Sequence, residues 1–151
     1  MCIRDSSEIE RAARHPNVEI LAYSELTGID GYIGNFEATV RLKPRYVDAT
    51  KCTACDKCAE ACLLSGQIAD EFQMGLGRRA AIYRQYPQAL PATYTVDPDH
   101  CLRLAGAPEP AAAGAATLCR ESPPCAAACP AGAVDFGQVP AARSVKMGAI
   151  V

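Results

Sequence analysis

Cys52-Thr53-Ala54-Cys55-Asp56-Lys57-Cys58-Ala59-Glu60-Ala61-Cys62 places four cysteines in eleven residues, spaced C-x2-C-x2-C-x3-C. The residues between the thiols are small or charged, so no regular core forms here without a ligand. The spacing has a physical reason. Three thiolates two residues apart on a tight loop reach three corners of one inorganic cube, and the loop's backbone N–H groups point at its sulfides. The fourth thiolate is expected on a helix that starts at Cys62 and faces away, toward a second cube.

The chain has nine cysteines, and the rest of the set lies at Cys2, Cys101, Cys119, Cys125 and Cys129. The second half is looser, with 17 residues between Cys101 and Cys119 and five between Cys119 and Cys125, but it closes on the same C-x3-C, followed by Pro130. The run is that of two-cluster bacterial ferredoxins, in which the fourth cysteine of each half crosses to the other cluster. Crossing the ligands in that way gives cluster I from Cys52, Cys55, Cys58 and Cys129, and cluster II from Cys62, Cys101, Cys119 and Cys125. Eight cysteines then fill two 4Fe-4S cubes with none left over. Leu63 stands where a proline usually follows the fourth cysteine.

Two other uses of cysteine compete with this one. Zinc sites take pairs of C-x2-C hooks or Cys/His mixtures, whereas the second half here has no C-x2-C, so a zinc-stabilised, non-redox interaction module is the alternative. A disulfide scaffold needs an oxidising compartment, and no basic segment followed by an apolar run opens the chain as an export signal would. A cytoplasmic protein is expected.

Composition agrees. Half of the 151 residues are hydrophobic, yet 28 are Ala and nine Cys, and Leu, Ile, Val and Phe together number 29. That is thin for a self-sufficient core. Lys+Arg 15 against Asp+Glu 17 leaves a net charge of −2, which argues against nucleic-acid binding. No stretch reaches the roughly 18 to 20 apolar residues of a membrane span.

Along the chain, the hexapeptide Met1 to Ser6 reads as an adaptor-derived artefact, and setting it aside removes Cys2. Residues Ser7 to His15 predict a short helix, capped by Ser6 or Ser7 and closed by Pro16. Val18, Ile20 and Ala22, then Phe36, Ala38, Val40 and Leu42, alternate at strand period, with Gly28, Gly31, Gly34 and Asn35 as turn chemistry between them. A helix is expected from Ala69 to Tyr83 despite Gly75 and Gly77, a short strand over Tyr94 to Val96, and a flexible insertion over Ala105 to Ala116. The apolar stretch ending at Val151 suggests an internal piece of a longer protein. His15 and His100 read as solvated or as outer neighbours of the metal ligands, Tyr83, Tyr86 and Tyr94 as packing residues, and Arg78, Arg79, Lys51 and Lys57 as a solvated helix face in preference to a docking patch.

Segments on both sides of the cysteines carry a resemblance: HPNVEILAYSE at 15–25, GYIGNFEATVR at 31–41, KPRYVD at 43–48, DEFQMGLGRRAAIY at 70–83, YPQALP at 86–91 and CPAGAVDF at 129–136. In order and coverage the chain resembles the A-type subunit of heterodisulfide reductase and its bacterial homologues. The resemblance implies an α+β fold: a bacterial-ferredoxin-like module with two 4Fe-4S clusters, residues 46–140, inserted in a thioredoxin-reductase-like FAD domain. Residues 7–45 and 141–151 would be edge strands of that domain. It further implies an oxidoreductase, a CoB–CoM heterodisulfide reductase-like iron–sulfur flavoprotein that relays electrons between FAD and partner redox subunits. Those partners would be other heterodisulfide-reductase-type subunits or a hydrogenase or dehydrogenase donor. The sequence has no G-x-G-x-x-G fingerprint, so the FAD pyrophosphate site is expected outside it, and no catalytic residue is expected within it.

Overall fold

The computed structural model describes residues 3–106 and 113–151; Cys2 and the middle of the Ala/Pro/Gly stretch lie outside them. The elements run α1 (Ile3–Arg14), β1 (Ser24–Tyr32), β2 (Asn35–Leu42), α2 (Lys57–Glu60), β3 (Ile68–Ala69), β4 (Arg78–Arg79), β5 (Ile82–Tyr83), β6 (Thr95–Val96), α3 (Ala113–Glu121), α4 (Pro124–Ala127) and β7 (Ala141–Met147). This mixture of helix and strand divides into two units, Met1–Pro44 with Gly137–Val151, and Arg45–Phe136. No helix among the described residues is long and apolar enough to cross a membrane.

The first unit is built on an antiparallel sheet in the order β1-β2-β7. The hairpin turns at Ile33-Gly34 between the pair Tyr32 and Asn35. That two-residue turn sets the register, and the β1–β2 pairing runs out at Ser24 opposite Leu42, with Lys43 N–H donating to the Tyr23 carbonyl as the last bond across it. The alternation at Val18, Ile20 and Ala22 is therefore not a strand, and Gly28 and Gly31 lie inside β1 instead of in the turn. Gly31 sits at φ 106, where a Cβ would come within 2.1 Å of the Asn35 carbonyl oxygen. β7 pairs with β2 from Phe36 opposite Met147 to Leu42 opposite Ala141, and Ala38 in the middle of the sheet is buried. Helix α1 starts earlier than expected, at Ile3, and its described side chains are exposed. Glu8–Arg11 and Glu10–Arg14 pairs at helical spacing support it.

The second unit is held by a small core of Val47, Ile68, Ala81, Ile82, Tyr94, Val96 and Ala133, completed by Cys58 and Cys101. Its entering strand segment is fixed on two sides. Asp48 N–H donates to Ala133 and Asp135 N–H to Tyr46, while Val96 N–H donates to Arg45. The expected helix from Ala69 to Tyr83 is absent. Met74 and Gly75 take positive φ, Asp70 accepts from Phe72 N–H and pairs with Gly77, and the segment closes as the β3–β4 hairpin. The glycines and the Asp70 side-chain turn outweigh the helical period here.

That hairpin carries a buried charge network. Arg79, only 7% exposed, donates to Asp97 at 2.7 Å and to Glu71 at 2.6 and 3.0 Å, and its guanidinium lies 4.0 Å over the Tyr83 ring. It is thus neither a solvated helix face nor a docking patch. Burial works to raise the Asp97 carboxyl, but the bonds from Arg79, Asp99 N–H and His100 win and hold it below the usual range.

Removing one member leaves a buried charge without its partner, at a cost of about 3 kcal/mol. Arg79→Met is expected to lower unfolding stability by that amount, and the double change Arg79→Met with Asp97→Leu to recover most of it. A single variant as stable as the parent in denaturant titration would contradict the buried pair.

Candidate metal centres

The cysteine loop is shaped by its backbone. Asp48 accepts from the N–H groups of Lys51 and Cys52 and through its carboxylate from Thr50, which tightens the approach. Ala54 at φ 53 and Asp56 at φ 67 then reverse the chain between the three cysteines. Asp56 gives α2 no side-chain cap; its carboxylate instead accepts from the Tyr94 hydroxyl and lies 3.7 Å from Arg84. Because these two left-handed residues release the chain directly into α2, the helix begins at Lys57, and Cys58 is its second residue. Contrary to expectation, no helix starts at Cys62, which follows α2 and leads into a turn through Ser65 N–H.

Helix α4 repeats this construction. It also has four residues with a cysteine second, Cys125, and Cys129 follows it as Cys62 follows α2. Cys129 Sγ accepts from Ala133 N–H at 3.3 Å, in a turn made possible by Gly132 at φ 57. Between the two halves lies the stretch expected to be a flexible insertion. Its residues 107–112 are outside the described ones, but from Ala113 the chain is the helix α3, whose Ala116 is buried and which carries Cys119. The alanines that made the stretch look unstructured are good helix formers.

Two neighbourhoods of thiols result. Cys62, Cys101, Cys119 and Cys125 line one cavity of about 390 Å³, counted out to its mouth, together with Leu63, Ala81, Ile82, Val96 and Pro123. Burial, followed by the thiols of Cys62, Cys101 and Cys119, pushes Cys125 up to about 12. Burial also raises Cys101 and Cys119, with Cys62 adding to both. In the other neighbourhood, burial and then Cys52 and Cys129 push Cys58 up to about 12. For Cys52, burial is outweighed by bonds from Tyr94 N–H, the Thr93 hydroxyl and Ala54 N–H and by the charge of Arg84, so its thiol falls. Cys55, the remaining cysteine of the loop, is exposed.

The donor set suits a cube better than a single ion. One zinc ion draws its thiolates to about 2.3 Å and so packs them against one another, usually from paired C-x2-C hooks or with histidine, whereas this set is all cysteine and drawn from four separate segments around the cavity. A cube holds its ligands at four separate corners. The histidines stand apart: His15 Nδ1 accepts from Asn17 N–H, and His100 pairs with Asp97, half exposed. Tyr94 is a buried core residue. What the sequence reading missed are Asp56 and Arg103, the latter lining the cavity; the only signal was their place close to cysteines.

A small mixed helix–strand unit that gathers cysteines from both halves of its length around a shared cavity has the donor chemistry of the metal-cluster class. No protein-family model matches the chain. Among curated proteins it is 41% identical over 92% of its length to the A-type iron-sulfur subunit of CoB–CoM heterodisulfide reductase from Methanocaldococcus jannaschii. It is 39% identical over 89% of its length to a protein of Archaeoglobus profundus described as like the A-type subunit of heterodisulfide reductase. Over its full length it is 33% identical to the A-type subunit of the H(2):CoB-CoM heterodisulfide,ferredoxin reductase of Methanothermobacter marburgensis. The chain belongs to the family of heterodisulfide reductase A-type subunits. It spans about a fifth of the length of these relatives, 18%, 19% and 20%.

Ala54 is the test of the loop. A left-handed residue with a Cβ costs roughly 1 to 2 kcal/mol, which glycine avoids and a β-branched residue aggravates. Unfolding midpoints are expected in the order Ala54→Gly at or above the parent, and Ala54→Val below it. A valine variant as stable as the parent would contradict the loop geometry.

Proposed function

We propose that the chain holds two 4Fe-4S clusters, one on Cys52, Cys55, Cys58 and Cys129 and the other on Cys62, Cys101, Cys119 and Cys125. It thereby relays electrons between FAD and partner redox subunits of a cytoplasmic, heterodisulfide-reductase-type oxidoreductase. The clusters, when bound, supply one-electron exchange. The observation that carries the reading is the make-up of the cavity: it takes Cys62 from the first half and leaves out Cys129, the closest cysteine in sequence to Cys125. Cys129 instead acts on Cys58, beside Cys52. This exchange of the fourth cysteine between halves is the ferredoxin arrangement.

The chain's own groups do the rest. The thiolates hold iron, and the N–H groups of Ala133, Tyr94 and Ala54 donate to the sulfurs of Cys129 and Cys52, stabilising added negative charge. The apolar wall of Ile82, Val96 and Leu63 keeps water from the second site. We read Arg45–Phe136 as the core of a ferredoxin-like module of residues 46–140. The β1-β2-β7 sheet, with Leu26, Ile29 and Tyr32 exposed on β1, is read as the edge of a thioredoxin-reductase-like FAD domain. Partners of the same chemistry are other subunits of heterodisulfide-reductase type, or a hydrogenase or dehydrogenase electron donor. The zinc-stabilised, non-redox module is the competing reading.

Anaerobic purification followed by iron and acid-labile sulfide analysis is expected to return two clusters per chain. A colourless protein with zinc in both sites would overturn the proposal. Ligand exchange has its own test in reduced-state EPR: Cys129→Ala and Cys58→Ala are expected to lose the same cluster signal, and Cys125→Ala the other. If Cys129→Ala removed the signal that depends on Cys125, the assignment would be wrong.

A further inference from the structure

Among the described residues, each that lines the cavity around Cys62, Cys101, Cys119 and Cys125 is apolar or a cysteine except Arg103. Its guanidinium does two things at once. Nη1 donates to the carbonyl oxygen of Cys119 at 3.0 Å and also to that of Arg120. These carbonyls belong to the last turn of α3, which has no intrahelical donors for them, so Arg103 fastens the helix that carries Cys119 to the segment that carries Cys101. The same group lies 4.9 Å from the centroid of the Phe136 ring, which stacks on Tyr46. Packed there, it cannot swing out without breaking both carbonyl bonds.

A guanidinium keeps its charge at any working pH. Reduction of a cluster adds one electron, changes no covalent bond, and leaves one more negative charge at the site. A fixed cation in an apolar lining stabilises that reduced form.

We propose that Arg103 is a positioning residue for this site: it brings Cys119 to the cavity and, by its fixed charge, raises the reduction potential of the cluster held there. The proposal rests on the iron–sulfur reading above. It predicts that substitutions sort by charge, because Arg103→Lys keeps a cation with one nitrogen to offer the two carbonyls, as Nη1 does, whereas Arg103→Gln loses the cation.

The test is an EPR-monitored potentiometric titration of the iron-loaded chain, with the signal of this cluster identified as the one Cys125→Ala removes. In Arg103→Gln its reduced-to-oxidised ratio at a fixed potential is expected to fall about tenfold, equivalent to about 59 mV for one electron. Arg103→Lys is expected to restore most of the ratio, and the signal that depends on Cys58 to stay unchanged in both. If Arg103→Gln loses this cluster alone, Arg103→Lys carries the test, and a loaded site with the parental ratio supports the proposal. An unshifted ratio in loaded Arg103→Gln, equal shifts in both variants, or loss of the cluster in both would overturn it. A parent chain that takes up no iron would overturn the iron–sulfur reading itself, which none of these outcomes does.

Discussion

Crowding four thiols into one apolar cavity is the constraint on which the Arg45–Phe136 unit depends. Such groups resist ionisation where they are buried and repel one another once ionised, which is why Cys125 is pushed up to about 12 in that cavity, as Cys58 is beside Cys52 and Cys129 in the other neighbourhood. Iron relieves both penalties, because it binds the thiolate and neutralises it; ligand deprotonation and metal binding are then one event, and binding free energy becomes folding free energy. On the proposed iron–sulfur reading, a unit whose core contains Cys58 and Cys101 beside so few aliphatic residues is built on that exchange. Two of the cysteine-bearing segments are tied to the strand β6 region: Cys101 N–H donates to the Asp97 carbonyl, and the Tyr94 hydroxyl donates to Asp56.

The two halves reach this end by the same local device. A four-residue helix with cysteine second and another cysteine just beyond it occurs as α2 and as α4. They differ in how the chain enters the helix, through left-handed Asp56 in one and through extended Pro123 in the other. The first half presents its ligands on one short loop. The second takes Cys101 and Cys119 from separate segments and ties them with Arg103, the function that loop compactness serves in the first half.

What could be read in advance follows from range. The cysteine run and the β2 strand are local properties of spacing and period, and they were legible. The strand before Ser24 was misplaced because hairpin register depends on where the turn falls, and four glycine or asparagine positions competed for it. The helix expected over Ala69 to Tyr83 failed because its period was real but its breakers were stronger: Met74 and Gly75 adopt positive φ and Asp70 closes the turn. Arg79 was misread with it, since its buried partner Asp97 is 18 residues away. The role of Arg103 was not legible, because its partners are carbonyl groups of a helix that the composition disguised as an insertion.

The most direct measurement of the central claim is Mössbauer spectroscopy of the anaerobically purified chain, which reports the ligation and nuclearity of every iron. The account predicts that all the iron is tetrahedral and sulfur-ligated, in two 4Fe-4S clusters with comparable intensity. Isolated iron ions, or a single cluster with the Cys125 site empty, would contradict it.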